Sequence, residues 1–254
     1  MKKESLKFRA VISYDGTGFS GWQVQPGKKT IQSEIERCLS QILQQKIKVQ
    51  SCGRTDTGVH ASRHYISFVA RTDLSEQKLT RAMNALLDRS IRVKEILCVD
   101  EDFHVRFDAK RKIYRYLISD FNSPFLINRA WFIPERLSII RMKKASEFIV
   151  GTHDFTCFQA SGSSIKNPVR TIECITIKRE YFCFDTEIRL IVIEVCGDGF
   201  LYKMVRNIVG TLVDVGKRKI EPERVKEIID SKDRRLASAT APAYGLYLKD
   251  VIYD

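Results

Sequence analysis

Ser51-Cys52-Gly53-Arg54-Thr55-Asp56-Thr57-Gly58-Val59-His60-Ala61 is the stretch around which the chain is organised. It lies between two β-like runs, residues 46–50 and 65–70, and so reads as a loop joining strands. Gly53 and Gly58 open backbone angles closed to other residues. Between them stand a cation (Arg54), a hydroxyl (Thr55) and a carboxylate (Asp56). Loops held by a rigid scaffold are where chemistry tends to sit, which makes Asp56 the leading candidate for a reactive group. Asp56-Thr57-Gly58 also matches the tripeptide of aspartic proteases. That chemistry needs two carboxylates sharing a proton, whereas the chain has one Asp-Thr-Gly and Arg54 would hold Asp56 ionised. A protease is excluded. The plain alternative is an Asp that caps a turn.

Upstream, residues 8–14 alternate as a strand and run into Gly16-Thr17-Gly18-Phe19-Ser20-Gly21. This string matches G-x-G-x-x-G, but the dinucleotide motif must open a helix directly. Here Pro26-Gly27 intervenes, and the helical period begins only at Ile31, continuing through Ile35, Leu39 and Ile42. The kinase form wants Val two residues after the last glycine, where the chain has Gln23. The string therefore reads as a tight loop near Asp56, with Trp22 and Gln23 exposed in it. Downstream, Ser75 is the N-cap of a helix with Leu79, Met83, Leu86 and Leu87 on its apolar side. Residues 91–99 form another strand. The order is strand, helix, strand, strand, helix, strand, which is the split βαβ or ferredoxin-like order.

The second half repeats that order with longer pieces. Residues 113–119 read as a strand, and 139–150 as a helix ending at Gly151. Residues 171–182 and 188–196 pair as a hairpin. A helix over 201–215 carries Met204, Val205, Ile208, Val209 and Leu212. A short helix over 225–229 follows Pro222, and 246–252 closes the sheet. The prediction is an α+β fold of two ferredoxin-like (βαββαβ) halves, 1–107 and 108–254. They join into one mainly antiparallel sheet with helices on one side and a central cleft, where ligands often bind. Segments 121–131 and 161–170 break both periods and read as long loops.

Composition narrows the class. With 254 residues the chain can bury real cores, and its 44% hydrophobic content fits a globular protein. Lys plus Arg outnumber Asp plus Glu by 43 to 31, a net charge of +12 that suits a polyanionic partner. No stretch resembles a signal peptide or approaches transmembrane length. The seven cysteines are scattered without any Cys-x-x-Cys, which argues against a disulfide framework or a zinc site and for a reducing, cytoplasmic setting. His60 and His64 lack a partner cluster and read as structural. The basic positions Arg106, Lys110, Arg111, Lys112 and Arg115, with Lys217-Arg218-Lys219, are candidates to grip phosphates.

Gly53-Arg54-Thr55-Asp56-Thr57-Gly58-Val59-His60-Ala61 closely resembles the signature of the tRNA pseudouridine synthases of the TruA type. Tyr14-Asp15-Gly16-Thr17, Gly21-Trp22-Gln23 and Thr30-Ile31-Gln32 resemble the opening of that family. Phe103-His104, Arg106-Phe107 and Lys112-Ile113-Tyr114-Arg115-Tyr116 resemble its middle. His153-Asp154-Phe155, the run Phe200 to Asn207, and Ala241-Pro242-Ala243 with Gly245-Leu246 complete the likeness. Val105 stands where a small residue is usual, and Leu87-Asp88-Arg89-Ser90 replaces a Leu-Pro-x-Asp turn.

The resemblance implies isomerisation of uridine to pseudouridine at tRNA positions 38, 39 and 40, in the anticodon stem-loop. The N1–C1′ bond breaks, the base turns, and C5 takes its place. No electrons are exchanged with outside reagents, so the expectation is no cofactor and no metal. Asp56 would be the nucleophile on a flipped-out uridine. Whether it attacks C6 or C1′, or acts through a glycal, the residues leave open. The resemblance further implies that Arg206 pairs with Asp56 and keeps it charged, against the usual reading of a helical Arg as solvated. It implies that Tyr114 stacks on the base and is a candidate general base, that Arg54 and Leu201 contact substrate, and that the chain is a homodimer. A non-catalytic module of the RRM type shares the βαββαβ order. Its third strand carries glycines that Arg63-His64-Tyr65-Ile66-Ser67-Phe68-Val69 lacks. A nucleotide-dependent oxidoreductase is the other rival, weakened by the misplaced glycines.

Overall fold

A computed structural model describes residues 4–162, 167–182 and 185–253, with the backbone alone at 186 and 187. Residues 163–166 of the expected loop at 161–170, and the two residues between the hairpin strands, lie outside the described residues. The fold is α+β, with ten strands and five α-helices among the described residues. The chain forms two compact units: one ends at Lys110 and regains the chain at Tyr247, and the other is Arg111–Leu246.

The first unit contains β1 (Leu6–Tyr14), α1 (Ile31–Leu43), β2 (Gln50–Ser51), β3 (His60–Ala70), α2 (Glu76–Leu86) and β4 (Ile91–Val99). β1 lies between β4 and β3, antiparallel to both, and β2 pairs antiparallel with β3. This is the pairing the split βαβ order predicts. The strand expected at 46–50 is reduced to the two residues of β2. β10 (Leu246–Ile252) runs parallel to β3, with Tyr247 opposite His60 and Leu248 opposite Ala61. β1 changes register between Ile12 and Tyr14, the irregularity by which strands re-aim side chains beside a site.

α1 starts where Thr30 and Ser33 form a capping box, and it buries Ile31, Ile35, Cys38 and Leu39 completely. Each large aliphatic side chain in that stripe contributes about 1.5–3 kcal/mol. In α2 the Ser75 side chain accepts from the Lys78 N–H, and Leu79 and Met83 are buried. Leu86, expected on the same stripe, is 42% exposed, whereas Leu87, just past the helix end, is buried.

The second unit contains β5 (Arg111–Ser119), β6 (Trp131–Phe132), α3 (Ile139–Glu147), β7 (Gly151–Asp154), β8 (Val169–Phe182), β9 (Asp185–Gly197), α4 (Met204–Gly216) and α5 (Arg224–Ser231). Its strand order is β5-β9-β8-β7, antiparallel throughout, with β6 parallel to β5. β5, β9 and β8 are neighbours in the same sense as β1, β3 and β2, so the repeat read from element order is real. Two helix boundaries differ from expectation by three residues. α3 stops at Glu147, and Gly151, at φ +118°, opens β7 rather than capping the helix. α4 begins at Met204 because Lys203 adopts a left-handed conformation (φ +57°). No described helix is long and apolar enough to cross a membrane.

Candidate active site

The loop between β2 and β3 is pinned at both ends and in the middle. The Cys52 N–H donates to Tyr65 O (3.0 Å), the Trp22 N–H to Thr55 O (3.1 Å), and the Val59 N–H to Asp56 O (3.1 Å). Gly58 closes the turn at φ +77°. The glycines of 16–21 explain their own spacing here. A Cβ on Gly16 would stand 2.1 Å from Val59 O, and one on Gly21, itself at φ +79°, 2.8 Å from Thr55 O. The G-x-G-x-x-G string is therefore a surface cut to let one loop lie against the other. Trp22, expected to be exposed, is only 2% so: its ring packs 4.2 Å from that of His64, while Gln23 does face solvent.

Beneath the loop runs a buried polar chain. Tyr14 Oη lies 2.7 Å from Thr55 Oγ1 and 2.8 Å from His64 Nδ1. His60 Nδ1 accepts from the Gly16 N–H at 3.0 Å, and its ring stacks on Tyr247 at 4.6 Å. Asp15 Oδ1 also approaches that nitrogen, at 3.1 Å. Both histidines are scaffold, as their isolation in the sequence suggested. Above this chain Thr55 is buried, Asp56 half-buried, and Arg54 and Thr57 exposed. The carboxylate thus sits at the rim of a rigid base.

In the second unit, Tyr114 on β5 is half-buried, with its ring edge-on to Phe200 at 5.0 Å. Leu201 is 4% exposed, and its carbonyl accepts from the Met204 N–H in the turn that opens α4. Arg206 follows in the first turn of α4. Its Nε donates to Ala241 O (2.8 Å), while the Ala241 N–H donates to Arg206 O (3.1 Å). The segment carrying Ala241 is strapped to α4, since a Cβ on Gly210 would meet Ala239 O at 1.9 Å. Tyr116 Oη donates to Pro242 O (2.7 Å), and burial pushes its phenol up, so it stays a neutral donor.

Reading the sequence missed Arg234. Its guanidinium donates to Asn207 Oδ1 (3.0 Å), Thr240 Oγ1 (3.2 Å), and the carbonyls of Ala237 and Ser238. Asn207 in turn donates to Phe158 O. This network fixes Asn207, next to Arg206, and residues 237–240, which lead to Ala241. The only signal was the motif membership of Asn207.

The candidate phosphate grips divide. Arg106 and Lys110 are exposed, and the Arg106 guanidinium lies over the open ring of Phe107. Lys112 is half-buried. Arg111 is held by Glu173 at 2.7 Å and Lys217 by Glu135 at 2.8 Å. Thiol chemistry is disfavoured at Cys38 and Cys157: burial pushes the first up to about 11 and the second up to about 12. Among the described residues no three His, Cys, Asp or Glu side chains cluster as metal ligands.

Residues 10–108 and 145–254 match the family described as tRNA pseudouridine synthase. The chain is 43% identical over 246 residues to a tRNA pseudouridine synthase A of Pseudothermotoga lettingae, covering 95% of this chain and 97% of that one. It is 42% identical over 247 residues to that of Acetivibrio thermocellus (96% and 98%). It is 44% identical over 253 residues to that of Bacillus licheniformis (98% and 100%). With the signature loop intact and both units matched, the chain belongs to the tRNA pseudouridine synthase family.

Proposed function

We propose that this chain isomerises uridine to pseudouridine in the anticodon stem-loop of tRNA, at positions 38, 39 and 40, with Asp56 as nucleophile. The observation that carries the reading is the match along nearly the whole chain to proteins named tRNA pseudouridine synthase A, with Asp56 inside the loop that resembles the family signature. Family membership leaves no place for the RRM-type binding module or the nucleotide-dependent oxidoreductase.

Geometry within each unit supports the roles. A covalent catalyst must be held still, and the Asp56 loop rests on three backbone hydrogen bonds and the Tyr14–Thr55 contact. Arg206, clamped to Ala241, is the cation assigned to keep Asp56 ionised. In this reading Tyr114 stacks on the flipped base and takes its C5 proton, and Arg54 and Leu201 hold the flipped nucleotide. Arg106, Lys110, Arg111, Lys112 and Lys217 follow the backbone, the paired Arg111 and Lys217 by exchanging an exposed carboxylate for phosphate. A homodimer acting in the cytoplasm on tRNA, without cofactor or metal, completes the proposal. The test is mapping pseudouridine in total tRNA from cells with and without the gene. Loss confined to positions 38–40 is the expected result. An unchanged map, or losses elsewhere, would overturn the assignment of substrate.

A further inference from the structure

The second unit contains a cleft of about 450 Å³ at the start of α3, where Arg136, Arg179 and Arg218 surround Leu137, Ile139 and Ile140. All three arginines are exposed, and no carboxylate lines the cleft. The acids nearest to them in sequence are engaged by other cations. Glu135 is held by Lys217 (2.8 Å), Glu180 by Lys178 (2.6 Å), Asp214 by Lys219 (3.5 Å), and Glu221 by Arg141 (2.8 Å). Neutralisation around the cleft thus falls on lysines and Arg141. The three guanidiniums are left to solvent, with no ion pair among the described residues.

Like charges converging on an acid-free concavity raise a local positive potential. Guanidinium is the cation best suited to phosphate, because its planar fork donates two parallel hydrogen bonds and it is weakly hydrated. Ile140, 83% exposed at the rim, offers an apolar contact that a sugar can cover. Arg218 follows the C-terminal end of α4 and Arg206 lies in its first turn. At 1.5 Å per residue the helix separates them by about 18 Å, too far for the cleft to touch the base on which Arg206 is proposed to act.

We propose that this arginine cleft is a phosphodiester site that grips the backbone of the substrate RNA away from the reacting base. The inference rests on the tRNA reading above and adds Arg136 and Arg179, which no motif indicated, to Arg218, which stands in a basic run of the sequence. The test uses the full chain and unmodified tRNA, with affinity measured by fluorescence anisotropy from low to moderate salt and turnover at saturating tRNA. The variant Arg136→Gln/Arg179→Gln/Arg218→Gln is compared with Lys78→Gln/Arg81→Gln/Lys226→Gln, which removes the same charge from helix surfaces elsewhere. Each lost phosphate contact lowers the slope of log affinity against log salt by about 1, so the cleft variant should lose about 2–3 of slope. Its KM should rise on the order of tenfold at moderate salt, consistent with the loss of several phosphate contacts. Its kcat should be unchanged, and the control should keep both slope and KM. A cleft variant that binds as the wild type does, while the wild type isomerises tRNA normally, would overturn the cleft alone. Equal loss in the control would assign the effect to net charge and overturn the site. A fall in kcat with KM intact would overturn its remoteness. A wild type that neither binds nor isomerises tRNA would instead remove the reading beneath it.

Discussion

Taking one oxygen from Tyr14 tests how the Asp56 loop is held. Tyr14 is 4% exposed, and its hydroxyl joins Thr55 at 2.7 Å and His64 at 2.8 Å. Tyr14→Phe keeps the ring among its neighbours and deletes both contacts. Loss of a buried hydrogen-bond partner costs about 1–3 kcal/mol, and the two contacts share one atom, so about 2–4 kcal/mol is expected together. In a chain of this length that lowers Tm by roughly 4–16 °C. Turnover should fall further than stability explains, because Thr55 precedes Asp56 and a displacement near 1 Å in a reacting group costs about 100-fold. The assay is a thermal melt alongside kcat on tRNA. Thr55→Val should reproduce the loss, Thr55→Ser should restore most of it, and the double variant Tyr14→Phe/Thr55→Val should lose little more than either alone. Strictly additive losses, or a Tyr14→Phe protein that melts and turns over as the wild type, would refute the argument.

Gly16→Ala should destabilise by about 2–3 kcal/mol or more, since its Cβ meets backbone at Val59, as overpacking in a rigid place does. Gly18→Ala, with open space around it but φ +80°, should cost only about 1 kcal/mol; a reversed order in denaturant melts would contradict the loop-on-loop account. Arg206→Leu should lower kcat far more than tRNA affinity, and normal turnover at neutral pH would break its assignment to Asp56.

What the sequence disclosed was local. The Asp56 loop was legible because its glycines, cation and carboxylate lie within six residues. β4 and β10 fell on their predicted bounds, 91–99 and 246–252, because apolar residues mark each from end to end. What escaped depended on distance along the chain or on backbone signs that residue type does not announce. Lys203 at positive φ shifts the start of α4 by three residues, yet nothing distinguishes that lysine beforehand. Arg234 sits beside Arg235 in what reads as a solvated charge run, and only the fold brings it to Asn207, 27 residues away. Trp22 looked exposed because His64, on which it packs, lies 42 positions on. The grip of Tyr14 on Thr55 spans 41 positions in the same way. Lys217 was legible as a cation but not as one already held by Glu135.

The account stands on Asp56, and Asp56→Asn tests it most directly. The amide keeps size and shape and caps a turn nearly as well as the acid, so a merely structural Asp56 predicts a folded, working variant. A nucleophile predicts otherwise: no turnover, with tRNA binding preserved because it rests on the basic surfaces. The measurement is release of tritium from tRNA labelled at uridine C5, with affinity determined on the same preparation. No release with wild-type affinity is the expected result; substantial release by Asp56→Asn would remove Asp56 from the chemistry.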